Sequence, residues 1–321
     1  MLKNYLKSKL SNINTPSKYN LGCSNLWRGL PLNILNKIII KVLSEFFNGS
    51  LKKHSEDEDF LFRSARSGIY AILKSRNIGK GDQVIVSSFT CDAVTFAVNA
   101  TKAQIIYTDI NDDLSMNYDS IIDNINHKTK AILIQNSFGE KGLTDENFEK
   151  LKKKEILIIE DNCLSIGTKI DDLELNKSGD FSVESLESSK SLTLGRGGIV
   201  KCNSEKYFND FKAFYKSLEN ENIFNDILKI IQLWVNIFFS KYSIKYGFVL
   251  WYFFYGTRIF KPSKSENKKV KTKFIKIGRF SRSLYLNLLP YKKNIFLNSN
   301  YVFKKILQDL KKHNAKIPIK Y

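Results

Sequence analysis

The chain has 321 residues, 43% hydrophobic and 13% aromatic, with a formal net charge of +19. That length allows one large domain or two ordinary ones, with apolar side chains enough for a sizeable core. Five Pro and 16 Gly exclude a collagen-like or low-complexity chain. No uncharged apolar run reaches the ~18–20 residues of a membrane-spanning helix.

The first residues, Met-Leu-Lys-Asn-Tyr-Leu-Lys-Ser-Lys-Leu, interrupt their apolar positions with lysines and carry no secretory core. Residues 1–53 have a net charge of +8, residues 54–200 of −7, and residues 201–321 of +18. The chain is therefore divided into a basic N-terminal segment (1–55), a central domain (56–220), and a basic, aromatic-rich C-terminal segment (221–321). Cys23, Cys91, Cys163 and Cys202 form no Cys-x-x-Cys pair, and His54, His127 and His313 are scattered. Neither a disulfide framework nor a metal site is expected.

The central stretch alternates short β-branched runs with helix-length segments. The runs are 83–88, 104–109, 131–135 and 156–160. By their apolar pattern all are expected to be parallel strands buried on both faces. Helices are expected at 69–77, 93–103, 118–125 and 145–154. This order predicts an α/β domain with a mostly parallel sheet. Ligands in such sheets bind at the carboxyl ends of the strands, which places 87–90, 136–139 and 161–163 at one rim.

Asp161 closes the 156–160 run. A carboxylate at the end of a buried strand needs a cation partner, unless it serves as a turn or helix cap. Downstream, 181–186 alternates as a strand does, Lys190 sits in a Ser-rich turn, and a Gly-rich turn leads into 198–201. A lysine in a restricted loop between core strands suits Schiff-base chemistry once desolvated; most lysines are simply solvated.

These blocks carry a resemblance. Arg66-Ser-Gly-Ile-Tyr-Ala-Ile-Leu73, Gly81-Asp-Gln-Val-Ile-Val-Ser-Ser-Phe-Thr90, Thr129-Lys-Ala-Ile-Leu133, Phe138-Gly139 and Ile159-Glu-Asp161 stand in order. Gly179-Asp180, Ser185, Lys190, Gly195 and Gly197-Gly198 follow. Together they resemble the DegT-type sugar aminotransferases, pyridoxal-phosphate enzymes of fold type I. The resemblance implies that Lys190 bonds the cofactor and later moves the proton, and that Asp161 holds the pyridine nitrogen. It implies a phosphate site made by Ser185, Gly68 and the amide of Ile69, the last two at a helix N-terminus. Relatives with His in place of the lysine are dehydratases, which Lys190 argues against.

Three positions depart from the family pattern. Leu164 stands where Gln or His approaches the ring hydroxyl, Cys91 where an aromatic stacks on the ring, and Ile69 where Thr meets the phosphate.

In the C-terminal segment, a helix is expected at 204–219. Aromatic-rich pieces at 230–239 and 246–255 precede a run from Arg258 to Arg282 with ten Lys/Arg and one Glu. This suits either an interfacial anchor or buried helices with a solvated basic loop. A last helix is expected at 301–312, making the second domain of the family short or incomplete. The resemblance implies a cytoplasmic homodimer that converts a nucleotide-linked keto sugar to an amino sugar for surface polysaccharide or another glycan, with glutamate as donor. The alternative is a catalytically impaired binding or assembly subunit, motivated by Leu164, Ile69 and the short C-terminus. The basic flanks suggest peripheral contact with an anionic membrane; nucleic acid is not expected, since no recognisable nucleic-acid fold is present.

Overall fold

The computed structural model describes residues 32–51, 59–170, 173–175, 177–187, 190, 192–231, 274–293 and 295–296. The expectations for 1–31, 232–273 and 301–312 lie outside these residues.

The first element is helix α1 (Leu32–Phe47). Strand β1 (Phe60–Phe62) and helix α2 (Ala65–Ser75) follow. Next come β2 (Gln83–Ser87), α3 (Asp92–Thr101), β3 (Gln104–Thr108) and α4 (Tyr118–Asp123). Then come β4 (Thr129–Gln135), α5 (Asp145–Lys152) and β5 (Leu157–Asp161). A small hairpin, β6 (Lys169–Ile170) and β7 (Leu173–Glu174), precedes β8 (Phe181–Ser185) and β9 (Gly198–Cys202). Helix α6 (Glu205–Ser217) leaves the sheet, residues 223–231 are helical, and α7 (Arg279–Leu288) leads through a 3-10 turn (Leu289–Tyr291) into helical residues 292–293 and 295–296.

Seven strands form one sheet in the order β1-β9-β8-β5-β4-β2-β3. Strands β3, β2, β4, β5 and β8 are parallel, and β9 runs against both β8 and β1. The expected α/β fold is present. One strand departs from expectation: β3 is the sheet edge, so its residues are largely half-exposed or exposed, with Tyr107 outward.

Side chains alternate across the sheet and build two faces. Phe60, Phe62, Val84, Val86, Leu133, Ile159, Phe181 and Val183 pack under α2, α3 and α6. Ile85, Ile132, Ile134 and Ile158 pack under α4 and α5 on the other side. Beside them, Leu61 and Ile199 join α1, the 223–231 helix and α7 through Val42, Ile230, Phe280 and Leu284. Residues 274–277 run beside β1: Arg63 N donates to Ile275 O, and Ile277 N donates to Leu61 O. Elements from both ends of the chain thus share one apolar cluster with the sheet.

Candidate active site

The carboxyl ends of β2, β4, β5 and β8 meet at one rim because these strands are parallel neighbours. Asn136, just past β4, ties the rim together. Its Nδ2 donates to Asn162 Oδ1 (2.7 Å) and Glu160 Oε2 (3.3 Å), and its Oδ1 accepts the Gly142 amide (2.7 Å). Ser165 Oγ donates to Asn136 O and accepts the Gly139 amide. Buried polar groups are costly unless paired, so this web fixes the loops that leave β4 and β5.

Asp161 ends β5 and is buried. One of its oxygens, Oδ1, accepts the Cys163 amide at 3.0 Å. The Cys163 thiol is pushed well above its ordinary value, first by burial and then by the Asp161 carboxylate beside it. Lys190, in the loop after the neighbouring strand β8, opposes that push. Behind Asp161, burial raises Glu160, against the Gly179 amide and Asn136 that stabilise its charge.

Lys190 is half-buried. Its loop is closed by several bonds: Lys190 N to Glu187 O, Leu194 N and Thr193 Oγ1 to Leu186 O, and Leu186 N to Gly197 O. Gly197 has φ of +115°, a conformation that glycine adopts without penalty. Leu192 and Leu194 anchor the loop in the core. Next to Gly197, Arg196 forms a buried network. It pairs with Glu221 through both terminal nitrogens and lies 3.8 Å from Asp226, while Arg63 approaches Glu221 at 3.5 Å. Asp226 in turn accepts the Phe280 and Ser281 amides at the start of α7.

Ser185 ends β8, and its Oγ accepts the Glu187 amide. It pairs with Gly198, which pairs with Phe62 of β1. A Cβ on Gly198 would collide with the Ala65 backbone nitrogen, so a bare backbone lies between Ser185 and the start of α2. That start corrects the sequence expectation. The helix was expected to open near Gly68 and Ile69, but Ser64 is its cap: Ser64 Oγ accepts the Ser67 amide and Ser64 O accepts the Gly68 amide. Gly68 is thus already spent in the first intrahelical bond, Ile69 lies one residue further in, and both are buried. The free amides of this end belong to Ala65 and Arg66.

Among the other sequence-derived positions, Leu164 lies on the rim at 40% exposure. Cys91 is exposed and flanks the N-terminus of α3 without a side-chain capping bond. The structure thus sets Asp161 and Ser185 at the carboxyl ends of the neighbouring strands β5 and β8, with Lys190 in the loop after β8 and Gly198 between Ser185 and the start of α2. It does not bring Gly68 and Ile69 to a free helix end. Sequence reading missed Ala65, Arg66 and the Arg196 network. Ser64, a capping residue type directly before the helix, was the available signal for the first two. Among the described residues, no group of His, Cys, Asp and Glu could hold a metal ion.

The profile of the DegT/DnrJ/EryC1/StrS aminotransferase family matches residues 47–221. GDP-perosamine synthase of Escherichia coli O157:H7 is 30% identical over 141 residues, 44% of this chain and 39% of that protein. GDP-4-keto-6-deoxy-D-mannose 3-dehydratase of Yersinia pseudotuberculosis is 27% identical over 201 residues, 58% of this chain and 51% of that one. Among solved structures, a DegT/DnrJ/EryC1/StrS aminotransferase from Brucella abortus is 24% identical, covers 56% of this chain and 54% of that one, and has a TM-score of 0.48. The chain spans 39% and 51% of the lengths of the two curated relatives.

Proposed function

The chain belongs to the DegT/DnrJ/EryC1/StrS aminotransferase family, and from that premise we propose that it is a pyridoxal-phosphate-dependent aminotransferase acting on a nucleotide-linked keto sugar. The observation that carries this reading is the placement of buried Asp161 at the carboxyl end of β5 and of half-buried Lys190 in the loop that follows the neighbouring strand β8, at one rim of a parallel sheet. A second observation supports the cofactor: Ser185, at the end of β8, is brought beside the start of α2 by the close backbone approach that Gly198 permits.

Bound pyridoxal phosphate supplies an electron sink that lets an amino group move between carbon skeletons. Asp161, held by the Cys163 amide, would hold the protonated ring nitrogen. Lys190 would hold the cofactor through its aldehyde carbon and, when free of it, would move a proton at its Nζ. The Ser185 hydroxyl and the amides of Ala65 and Arg66 hold the phosphate, where the dipole of α2 favours an anion. Leu164 and Cys91 stand where the family resemblance places a hydrogen-bonding and an aromatic residue for the cofactor ring, and neither would supply that contact. Both changes weaken cofactor binding without removing the residues that move protons. The donor is glutamate, the product an amino sugar for a surface glycan, and the working unit a homodimer.

The test is a half-reaction. Protein with pyridoxal phosphate should show a visible absorbance band, and glutamate should abolish it without any sugar present. Lys190→Ala should lose the glutamate response. No cofactor binding at saturating pyridoxal phosphate, or a band that glutamate leaves unchanged, overturns the proposal; the second outcome points to a binding subunit.

A further inference from the structure

Eleven large hydrophobic side chains are exposed among the described residues, and six of them belong to two helices. In α1, Ile40, Leu43 and Phe47 are exposed, Phe47 at 78%. Their spacing of three and four residues puts them on one face. Ile38 and Val42, on the opposite face, are buried in the core. In the helix at 223–231, Phe224, Leu228 and Ile231 repeat this arrangement, with Phe224 at 74% exposure, while Ile230 is buried and Ile227 packs against the core. Both helices meet the start of α7. Phe46 stacks edge-on against Phe280, and Asp226 accepts the Phe280 amide. Each helix therefore has its inward stripe satisfied and a second apolar stripe facing outward, which a water-exposed helix does not need.

Exposed cations border these stripes. Lys37 and Lys41 of α1 and Arg279 of α7 are exposed. The two acids on these helices are engaged inward: Glu45 accepts Ser283 Oγ and Asn287 Nδ2, and Asp226 is fully buried. The sequences in which the helices lie are basic as well, with net charges of +8 for residues 1–53 and +18 for residues 201–321. Apolar stripes bordered by cations fit a surface that is anionic outside and hydrocarbon beneath.

We propose that α1 and the helix at 223–231 form a docking surface for an anionic lipid bilayer. Phe47, Phe224 and their stripe neighbours enter the headgroup boundary, while Lys37, Lys41 and Arg279 meet lipid phosphates. This is peripheral docking: among the described residues, no helix is long and apolar enough to cross a membrane. The proposal uses none of the residues assigned to the cofactor, so it stands or falls independently of the aminotransferase reading.

Flotation of the full chain with phosphatidylcholine vesicles, with and without phosphatidylserine, is the test. The chain should float with the anionic vesicles, stay behind with the neutral ones, and be released as salt rises. Phe47→Ser and Phe224→Ser should each reduce vesicle binding at least tenfold, since a buried aromatic contributes about 1.5–3 kcal/mol and 1.4 kcal/mol is tenfold. Both positions are exposed, so folding should survive; circular dichroism checks this. The pair Lys37→Glu and Lys41→Glu should also release the protein. Equal binding to neutral vesicles, no binding to anionic ones, or binding untouched by the Phe substitutions overturns the proposal. So does a result in which the Phe substitutions only split a dimer in sedimentation, which assigns the stripes to a second copy, or one in which nucleic acid binds them and vesicles do not.

Discussion

Replacing Arg196 by Leu tests how the Lys190 loop is held. The Arg196 side chain is 11% exposed, Glu221 1% and Asp226 0%, so the substitution leaves two carboxylates buried without their main cation. Breaking such a pair by removing one partner costs about 3–5 kcal/mol. Two features move the expectation toward the lower end. Arg63 remains 3.5 Å from Glu221, and Asp226 keeps its amide donors at the start of α7. Burial has already pulled the Arg196 guanidinium down to about 10, against the attraction of Asp226, so the native pair is itself partly strained by desolvation. We expect Arg196→Leu to lose about 3 kcal/mol in urea unfolding at neutral pH. Adding Glu221→Gln should recover at least ~1 kcal/mol of that loss, because neighbours in one network are not additive. Amide exchange should speed up at 186–197, the loop that Arg196 closes. A loss below about 1 kcal/mol, or strict additivity with Glu221→Gln, would refute the reasoning.

Three further outcomes follow from the packing and the titrations. Gly198→Ala should destabilise the fold by about 1–3 kcal/mol and weaken pyridoxal phosphate binding, because the added methyl meets the backbone of Ala65 rather than a side chain that can turn away; calorimetry and cofactor titration read both. At pH 8, an aromatic disulfide reagent should modify exposed Cys91 quickly and leave Cys163 and Cys202 slow. Burial raises both thiols, Cys202 to about 11, and Cys91→Ser should remove the fast reaction at that position. Glu160 is raised above its ordinary 4.5, so the native state holds a proton that the unfolded chain has released. Its contribution to stability is greatest below 4.5 and falls as pH rises through the native value. Glu160→Gln should therefore flatten the decline of stability just above pH 4.5; an unchanged slope would contradict the assignment.

The strands of the parallel core were legible because β-branched runs between helix-length segments have few other uses. Gln83–Ser87, Thr129–Gln135 and Leu157–Asp161 match the expected runs to within two residues. The rim was legible for the same reason: carboxyl ends of parallel neighbours converge. Burial on both faces was not, since β3 has the same composition as its neighbours and its place at the edge depends on strand order. The start of α2 was displaced because Ser67-Gly68-Ile69 offered a motif, while the capping bond that decides the matter is made by Ser64. Helices α1 and α7 were hidden by their setting, in segments where charge dominates composition. Arg196 lies in a Gly-rich turn that suggests flexibility; its partners are Glu221 and Asp226, and only folding brings them together. Asp161, Ser185 and Lys190 were singled out through motif order, but the adjacency of the strand ends that carry Asp161 and Ser185 depends on the strand order of the folded chain.

The central claim is that Lys190 carries the cofactor at this rim. Incubation with pyridoxal phosphate, borohydride reduction and peptide mapping tests it most directly. The pyridoxyl group should be fixed on Lys190 in stoichiometric yield, and Asp161→Asn should sharply reduce that yield. Labelling spread over several surface lysines, or none at Lys190, would contradict the assignment.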